Sequence, residues 1–376
     1  MTIYLDNAAG TPIAPSVFEA MLPWLEGVGA NAGSTQHKPG RSAAGAVATA
    51  RSHVARLLGR DSSEVTFTAS ATEACNLAIK GLARPLLERG QSVHVIAPMH
   101  EHPAVLDPFR RLEREGASVT LVKPGPTGLV SADDIAPHIR SDTLLVACMH
   151  ANNEVGTIND ITKIQSCCRD RGIRLLVDAS QSTGRIAAST LDADLLVASS
   201  HKMHGPAGAG VLAVRGGGRQ AALQPQIEGG GQEGGLRSGS INVPAIVGFG
   251  AACVLCEMDM AAEAIRLATL RDHLESALLK LFPGSRVNGD ICRRLPFMSN
   301  IALATGRLEP VHTLVPDVAF SAGSTCSSAT PGPSHVLEAM GLSALDAAGS
   351  IRLSLGRQTQ PADIDAAIAA FERISR

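Results

Sequence analysis

The chain is organised around Leu195-Leu196-Val197-Ala198-Ser199-Ser200-His201-Lys202. The apolar first half predicts a short buried strand, and the polar residues that run into Gly205-Pro206 predict a turn. In open α/β sheets the carboxyl ends of strands face the ligand crevice. A lysine held there beside apolar walls has a lowered pKa, and Schiff-base formation requires the neutral amine. Lys202 is therefore a candidate catalytic lysine, although an ordinary surface lysine on a loop is the alternative.

Short apolar runs alternate with helical stretches, such as residues 43–58 and 71–82, between about residues 42 and 250. The predicted strands are residues 65–68, 93–97, 118–122, 143–149, 175–178, 193–198 and 210–214. This alternation predicts an α/β fold, in which a mainly parallel sheet carries helices on both faces. A smaller α+β part is predicted from a long helix, short strands and a closing helix at residues 261–281, near 287, 300–304, 318–321, 351–355 and 361–374. We expect a large domain at residues 16–255 and a small domain formed by residues 1–15 and 256–376.

Composition narrows the functional classes. The 376 residues carry a formal net charge of −2 and only 18% charged residues, so direct nucleic-acid binding is not expected. No apolar run approaches the ~20 residues of a membrane span, and the N-terminus lacks the pattern of a signal peptide. We therefore expect a cytoplasmic protein whose eight cysteines are thiols. Cys253 and Cys256 fall on one face of a helical run with no second pair nearby, so we predict no metal site.

Two strand ends carry polar residues with more than one interpretation. In Thr68-Ala69-Ser70-Ala71-Thr72-Glu73, Ser70 and Glu73 fit a capping box, but a helix N-terminus after a strand also binds anions. Asp178 ends the strand at residues 175–178, where it either caps the next helix or holds a protonated pyridine nitrogen. In the second case Gln181 would donate to the phenolic oxygen of the same cofactor.

For three further segments the residues alone leave the interpretation open. His100 and His102 follow a predicted strand, either as structural histidines or with one imidazole on an aromatic cofactor. Residues 228–240 contain a G-x-G-x-x-G pattern without a preceding strand, which predicts a mobile loop and not a dinucleotide site. Cys326 lies in a loop of small polar residues at 321–334. It is either an incidental surface thiol or a nucleophile on a tether.

These segments together resemble the cysteine desulfurase family, the NifS/IscS-type branch of the class V aminotransferase-like, fold-type I pyridoxal-phosphate enzymes. The similarity spans nearly the whole chain, from Tyr4-Leu5-Asp6-Asn7-Ala8-Ala9 to Ile351-Arg352-Leu353-Ser354-Leu355-Gly356. The chain also resembles, more loosely, the DndA branch that feeds DNA phosphorothioation. The matching motifs are Thr72-Glu73 with Asn76-Leu77-Ala78-Ile79, Glu101-His102, Asn152-Asn153-Glu154-Val155-Gly156, Asp178-Ala179-Ser180-Gln181, Ser199-Ser200-His201-Lys202, Arg237-Ser238-Gly239-Ser240 and Ser324-Thr325-Cys326-Ser327-Ser328.

The resemblance implies a cofactor, pyridoxal 5'-phosphate, and assigns ten residues to it: Lys202, Asp178, Gln181, Asn153, His102, Ala71, Thr72, Ser199, His201 and Ser240. Lys202 would hold the cofactor covalently, and His102 would stack on its ring. Ser240 would reach the phosphate from the second subunit of a homodimer. Arg352, with Asn153, would bind the substrate.

The resemblance also implies the reaction. L-cysteine would be converted to L-alanine, with Lys202 removing the α-proton and Cys326 taking the sulfur as a persulfide for a sulfur-acceptor protein. The catalytic residues would be Cys326, Lys202 and His102. The alternatives are a selenocysteine lyase or other class V enzyme, and a sulfur-relay or scaffold protein with a decayed cofactor site.

Overall fold

The computed structural model describes residues 2–219, 221–305, 310–322 and 333–375. The strands of this part of the chain are β1 (Ile3–Tyr4), β2 (Val65–Thr68), β3 (His94–Pro98), β4 (Ser118–Val122), β5 (Thr143–Ala147), β6 (Arg174–Asp178), β7 (Leu195–Ser199), β8 (Gly210–Val214), β9 (Arg286–Asn288), β10 (Met298–Ala302), β11 (Val318–Ala319), β12 (Ser321–Ala322) and β13 (Ser350–Ser354). The helices are α1 (Pro15–Leu25), α2 (Lys38–Leu58), α3 (Ala71–Leu87), α4 (Pro103–Arg114), α5 (Ala132–Ile135), α6 (Ile161–Arg169), α7 (Val243–Leu281), α8 (Val311–Leu314), α9 (His335–Ala339), α10 (Ala344–Ala348) and α11 (Pro361–Ser375).

The central element is a seven-stranded sheet with the order β2-β8-β7-β6-β5-β3-β4. Neighbouring strands from β7 to β4 pair in parallel, and β8 is antiparallel to both of its neighbours. Strand β7 is buried along its whole length, as expected of an apolar strand in a sheet with both faces covered. Residues of α1, α2, α6 and α7 form one core with the sheet, and residues of α3 and α4 form another. The predicted α/β fold with a mainly parallel sheet is confirmed.

Helix α7 is 39 residues long, whereas we predicted a helical run around Cys253 and Cys256 and a separate helix at residues 261–281. The expected domain boundary after residue 255 therefore lies inside this helix. Its first half packs in the core with α1 and α2, and its second half packs in a separate core with α11. The two halves of α7 thus belong to different cores, and the division into two domains stays a prediction. Among the described residues, α7 is the one helix that is long and apolar enough to span a membrane by length and composition alone.

The C-terminal part contains a four-stranded antiparallel sheet with the order β12-β13-β10-β9. The first residues of the chain join this part, because β1 pairs with β11 and residue 6 forms a bridge with Ser354. The Asn7 side-chain amide donates to the carbonyl of Ser354, and the Ala8 N–H donates to its hydroxyl. These bonds fix a tight turn that leads from the small sheet toward the carboxyl edge of the large one.

The close approach of this turn to Gly356 gives a stability prediction. A Cβ at residue 356 would lie 2.2 Å from the Oδ1 of Asn7. Gly356→Ala should therefore lower the free energy of unfolding by about 1–3 kcal/mol through overpacking. Gly349→Ala is the matched control, because the nearest atom to its Cβ would lie 3.4 Å away. Thermal unfolding of both variants measures the difference, and equal melting temperatures would contradict the prediction.

Candidate active site

One cavity lies at the carboxyl ends of the parallel strands of the large sheet. The segments that line it follow β2, β3, β5, β6 and β7 in turn, which all run in the same direction. The lining residues are Ser70, Ala71, Thr72, His102, Ala104, Met149, Ala151, Asn153, Asp178, Ser180, Gln181, Ser199, His201 and Lys202. Every residue predicted to bind the cofactor is among them except Ser240. Strand topology thus brings together side chains that are distant in sequence.

Lys202 is placed in this cavity by a single turn of 3-10 helix, Ser200–Lys202, directly after β7. Its Nζ lies 2.5 Å from the carbonyl oxygen of Ala8 and 2.9 Å from that of Ala9, and donates to both. The amine is therefore held by neutral acceptors and not by a carboxylate. Such acceptors orient the amine without the charge that would favour its protonated form.

The pKa of Lys202 is lowered to about 8. Burial is the largest cause, because it penalises the charged ammonium, and the positive charge of Arg352 lowers the pKa further. Asp178 and Asp6 act in the opposite direction. The neutral amine is therefore abundant near physiological pH, as a covalently reacting lysine requires.

Asp178 ends β6 and faces the cavity. Its Oδ1 accepts the Ser180 N–H at 2.9 Å, which leaves acceptor capacity for a second partner. The Nε2 of Gln181 donates to the Ala8 carbonyl at 3.0 Å, the same oxygen that Lys202 contacts. The same nitrogen carries a second hydrogen, which the predicted bond from Gln181 to a phenolic oxygen would use.

His102 lines the cavity, whereas His100 does not. The Nδ1 of His102 accepts the Ala104 N–H at 3.1 Å at the start of α4. The neutral imidazole therefore carries its proton on Nε2. Burial lowers its pKa, so the neutral form dominates. His100 is buried with its Nε2 on the carbonyl of Gly128, and burial lowers its pKa to about 4, which indicates a structural role.

The N-terminus of α3 forms another wall of the cavity. The Ser70 hydroxyl caps the helix by accepting the Glu73 N–H, as predicted. The carboxylate of Glu73 accepts the N–H of Ala69, one residue before the position that a capping box uses. Ala71 and Thr72 occupy the first helical positions, where amide groups have no acceptor within the helix.

Ser199 and His201 lie beside this helix terminus. The Ser199 hydroxyl and the His201 Nδ1 are 2.8 Å apart and form a hydrogen bond. Burial, followed by the charge of Lys202, lowers the pKa of His201 to about 4. The pair is therefore neutral and can donate to an anion together with the amides of α3.

Arg352 lies on β13 and links the small sheet to the cavity. Its Nη1 donates to the carbonyl of Asn153 at 2.8 Å. Its Nη2 donates to Asp6 Oδ1 at 2.8 Å and to Ser321 Oγ at 2.7 Å. Sequence reasoning identified Arg352 and Asn153 but gave no role to Asp6, because nothing in the sequence relates residue 6 to residue 352.

Residues 3–367 match the family described as aminotransferase class-V. The curated protein named cysteine desulfurase IscS from Shewanella sp. (strain ANA-3) is 42% identical over 98% of this chain and 91% of its own length. Its namesake from Aeromonas salmonicida is 43% identical over the same shares. The chain belongs to the cysteine desulfurase family of class-V aminotransferases. It is an enzyme of this type, and the family depends on pyridoxal phosphate.

Solved structures of the family have the same fold. A NifS-like protein superimposes with a TM-score of 0.90 at 32% identity, and the match covers 100% of this chain and 99% of that one. DndA from Streptomyces lividans gives a TM-score of 0.80 at 33% identity over 93% of this chain and 99% of its own. A structure described as SspA in complex with cysteine gives a TM-score of 0.83 at 35% identity, and the match covers 94% of this chain and 99% of that one. The alternative enzymes and the relay protein are not favoured by these relatives.

The side chains of the cavity fit the cofactor of the family. The Oδ1 of Asn153 and the Oγ of Ser180 are buried and have no hydrogen-bond partner in the part of the chain that the structure describes. Buried polar atoms of this kind cost free energy unless a ligand or water satisfies them. An amine at Lys202, a carboxylate at Asp178 and donors around His201 match the aldehyde, the pyridine nitrogen and the phosphate.

The loop at residues 228–240 differs from the prediction. We expected a mobile loop, whereas its central residues contact the rest of the large domain. The carboxylate of Glu233 pairs with Arg51, and Leu236 is buried. Ser240, at the end of the loop, is exposed and lines a different surface cleft. Its predicted role in a second subunit remains a prediction.

Cys326 lies outside the described residues, so its predicted role as sulfur acceptor also remains a prediction. The structure adds the turn after β1 to the site, since the Ala8 carbonyl contacts Lys202 and Asp6 contacts Arg352. The motif at residues 4–9 was part of the family resemblance, and this was the one signal that could have pointed to it.

Proposed function

We propose that the protein converts L-cysteine to L-alanine and transfers the sulfur to Cys326 as a persulfide for a sulfur-acceptor protein. The observation that carries this proposal is the cavity that combines Lys202, Asp178 and His102 with Arg352 at its rim. An amine of lowered pKa, a carboxylate, an imidazole and a guanidinium are the groups that amino-acid chemistry with pyridoxal phosphate requires.

The cofactor, when bound, would withdraw electrons from the Cα of the amino-acid substrate. Lys202 would hold its aldehyde carbon. The carboxylate of Asp178 would keep the ring nitrogen protonated by charge pairing. The amides at the N-terminus of α3, with Ser199 and His201, would bind the phosphate.

Different side chains would carry out the different proton transfers. The neutral Nζ of Lys202 can accept the proton from the substrate Cα. The Nε2–H of His102 can donate a proton into the cavity, since its Nδ1 is occupied by the Ala104 N–H. Arg352 would bind the substrate carboxylate, which orients the Cα–H bond toward Lys202.

Sulfur transfer requires a thiolate. The Cys326 thiolate would attack the substrate sulfur, so that the new S–S bond forms as the Cβ–S bond breaks. The electron pair of the broken bond passes to the substrate, whose Cβ is protonated to give alanine. The sulfur remains on Cys326 as a persulfide until an acceptor removes it.

The proposal is tested by measuring products of the purified holoenzyme. With L-cysteine and a thiol reductant, alanine and sulfide should appear in equal amounts. Selenocysteine serves as the comparison. Alanine released from selenocysteine but not from cysteine would overturn the proposal in favour of a lyase.

The lowered pKa of Lys202 gives a second prediction. At pH 8 roughly half of this amine is neutral, against well under ~1% for a lysine of ordinary pKa. The rate at which apoenzyme captures pyridoxal phosphate covalently should rise with pH, reach half of its maximum near pH 8 and level off about one pH unit above that. Visible absorbance follows the reaction. A rate that continues to rise to pH 10 would contradict the prediction.

We also propose a homodimer in which Ser240 reaches the partner's phosphate site. Two observations support this arrangement: Ser240 does not line its own cavity, and it shares a cleft with Trp24 and the exposed side chain of Val28. Sedimentation of the holoenzyme should show a dimer. A monomer with full activity would refute the proposal.

We further propose that the protein works in the cytoplasm. The seven cysteines that the structure describes are all free, which fits a reducing compartment. Fractionation of cells and detection of the protein would test this proposal.

A further inference from the structure

Asp6 forms an ion pair with the guanidinium assigned to the substrate. Its Oδ1 accepts a hydrogen bond from Arg352 Nη2 and another from the hydroxyl of Ser321, which lies 2.9 Å away. The Ser321 oxygen in turn accepts a second bond from the same Nη2. Both hydrogens of this nitrogen are therefore engaged within the protein.

This pattern limits how a carboxylate can bind. A guanidinium forms a two-point contact with a carboxylate either through Nη1 and Nη2 or through Nε and Nη2. Both arrangements use Nη2. The Nε of Arg352 is buried and has no partner among the described residues, but it cannot complete the contact with Nη1 alone. A two-point grip on a substrate carboxylate therefore requires Asp6 or Ser321 to release Nη2.

Backbone hydrogen bonds on both sides of Asp6 hold its main chain in place, so that only its side chain can turn away from Arg352. The Leu5 N–H donates to the Ala319 carbonyl at 2.8 Å, and Asn7 is bonded to Ser354 on the other side. The side chain of Asp6 is one-fifth exposed, whereas that of Arg352 is 7% exposed. Asp6 thus has room to move away, and Arg352 remains in place.

We infer that Asp6 occupies the carboxylate site of Arg352 in the resting enzyme and competes with the substrate carboxylate for it. Asp6 is then a positioning residue that lowers the affinity for amino acids in general. In return it pairs the buried guanidinium while no substrate is bound, which avoids an isolated charge. This inference rests on the proposed function, in which Arg352 binds the substrate carboxylate.

The test compares two ligands of the holoenzyme that differ only in the carboxylate. L-alanine carries the group, and ethylamine is the same molecule without it. Asp6→Asn retains the shape and an acceptor oxygen but removes the charge. We expect it to lower the Kd of L-alanine by roughly fivefold, the order of a single partly exposed ion pair, and to leave that of ethylamine unchanged. Calorimetric titration measures both constants.

A control separates this effect from the loss of any ion pair. Asp259→Asn removes the partner of Arg357 outside the cavity and should change neither constant. Unchanged or weaker binding of L-alanine by Asp6→Asn would overturn the inference. An equal gain for both ligands would also overturn it, because the effect would then not depend on the carboxylate.

Two more variants keep the inference testable and separate it from the proposed function. Ser321→Ala frees one Nη2 hydrogen, so it should also lower the Kd of L-alanine. If Asp6→Asn fails to fold, an unchanged Kd of L-alanine in Ser321→Ala would overturn the inference. Arg352→Lys should raise the Kd of L-alanine but not that of ethylamine. If the Kd of L-alanine does not rise, the proposed role of Arg352 is wrong. If it rises in Arg352→Lys but does not fall in Asp6→Asn, only the proposed role of Asp6 is wrong.

Discussion

Cys326→Ser should abolish release of alanine from L-cysteine while the holoenzyme remains yellow. The residues proposed to bind the cofactor are Lys202, Asp178 and the N-terminus of α3, and none of them supplies a thiol. Attack on the substrate sulfur needs a thiolate, and a serine hydroxyl stays protonated near neutral pH. We expect the rate of alanine release to fall by about 10³-fold or more. Addition of L-cysteine should still change the visible spectrum.

The matched control for this variant is Cys292→Ser. Cys292 is an exposed free thiol in the turn that follows β9, away from the cavity. Its replacement should leave alanine release at the wild-type rate. If Cys326→Ser released alanine at a near wild-type rate, Cys326 would be an incidental thiol, and the sulfur would have another acceptor.

Most of the large sheet could be predicted from local sequence. Strands β2, β4 and β8 have the predicted bounds, and β7 differs by one or two residues at its ends. These strands are short apolar runs between helices that begin with clear signals, such as Ser70 before α3. Such a pattern can be read from neighbouring residues in the sequence. Strands β2, β7 and β8 are buried along their whole length, whereas the edge strand β4 is partly exposed.

Helix α7 could not be predicted at its full length. Gly248 and Gly250 fall in its first half, and glycine disfavours a helix interior. The structure shows why glycine is present: a Cβ at residue 250 would lie 2.7 Å from the Cα of Ala50 in α2. Close packing of two helices, which the sequence of one helix does not reveal, therefore outweighs the local propensity.

In the candidate site, too, some features could be predicted from the sequence and others could not. Residues that follow strand ends, such as Asp178 and Lys202, could be predicted, because parallel strands place their carboxyl ends at one edge. Contacts between segments that are distant in the sequence could not be predicted. Asp6 pairs with Arg352, and the hydroxyl of Ser334 donates to the buried carboxylate of Glu154. Pairing of the N-terminal segment with β13 of the small sheet brings the first pair together, and packing of the C-terminal part against the large sheet brings together the second.

The hydrogen bond between Ser334 and Glu154 joins the C-terminal part of the chain to a segment close to the cavity. Ser334 caps α9, and the next residue, His335, shares a hydrogen bond of 2.9 Å with the carbonyl of Glu101. Glu101 directly precedes His102, which lines the cavity. Ser334 and His335, which follow the segment that contains Cys326, thus lie beside the residue preceding His102, and Ser321, which precedes that segment, contacts Arg352.

Lys202→Ala should remove the covalent link between protein and cofactor. Only Lys202 among the described lysines lines the cavity, and its neutral amine is the group proposed to bond to the aldehyde. Reduction of the wild-type holoenzyme with borohydride and peptide mapping should place the pyridoxyl group on Lys202. The variant should carry no such label and should lose activity by about 10³-fold or more, since it also lacks the base for the substrate α-proton. Lys163→Ala, at an exposed position on α6, is the matched control and should retain both label and activity. A pyridoxyl group on any other lysine of the wild-type enzyme would overturn the assignment.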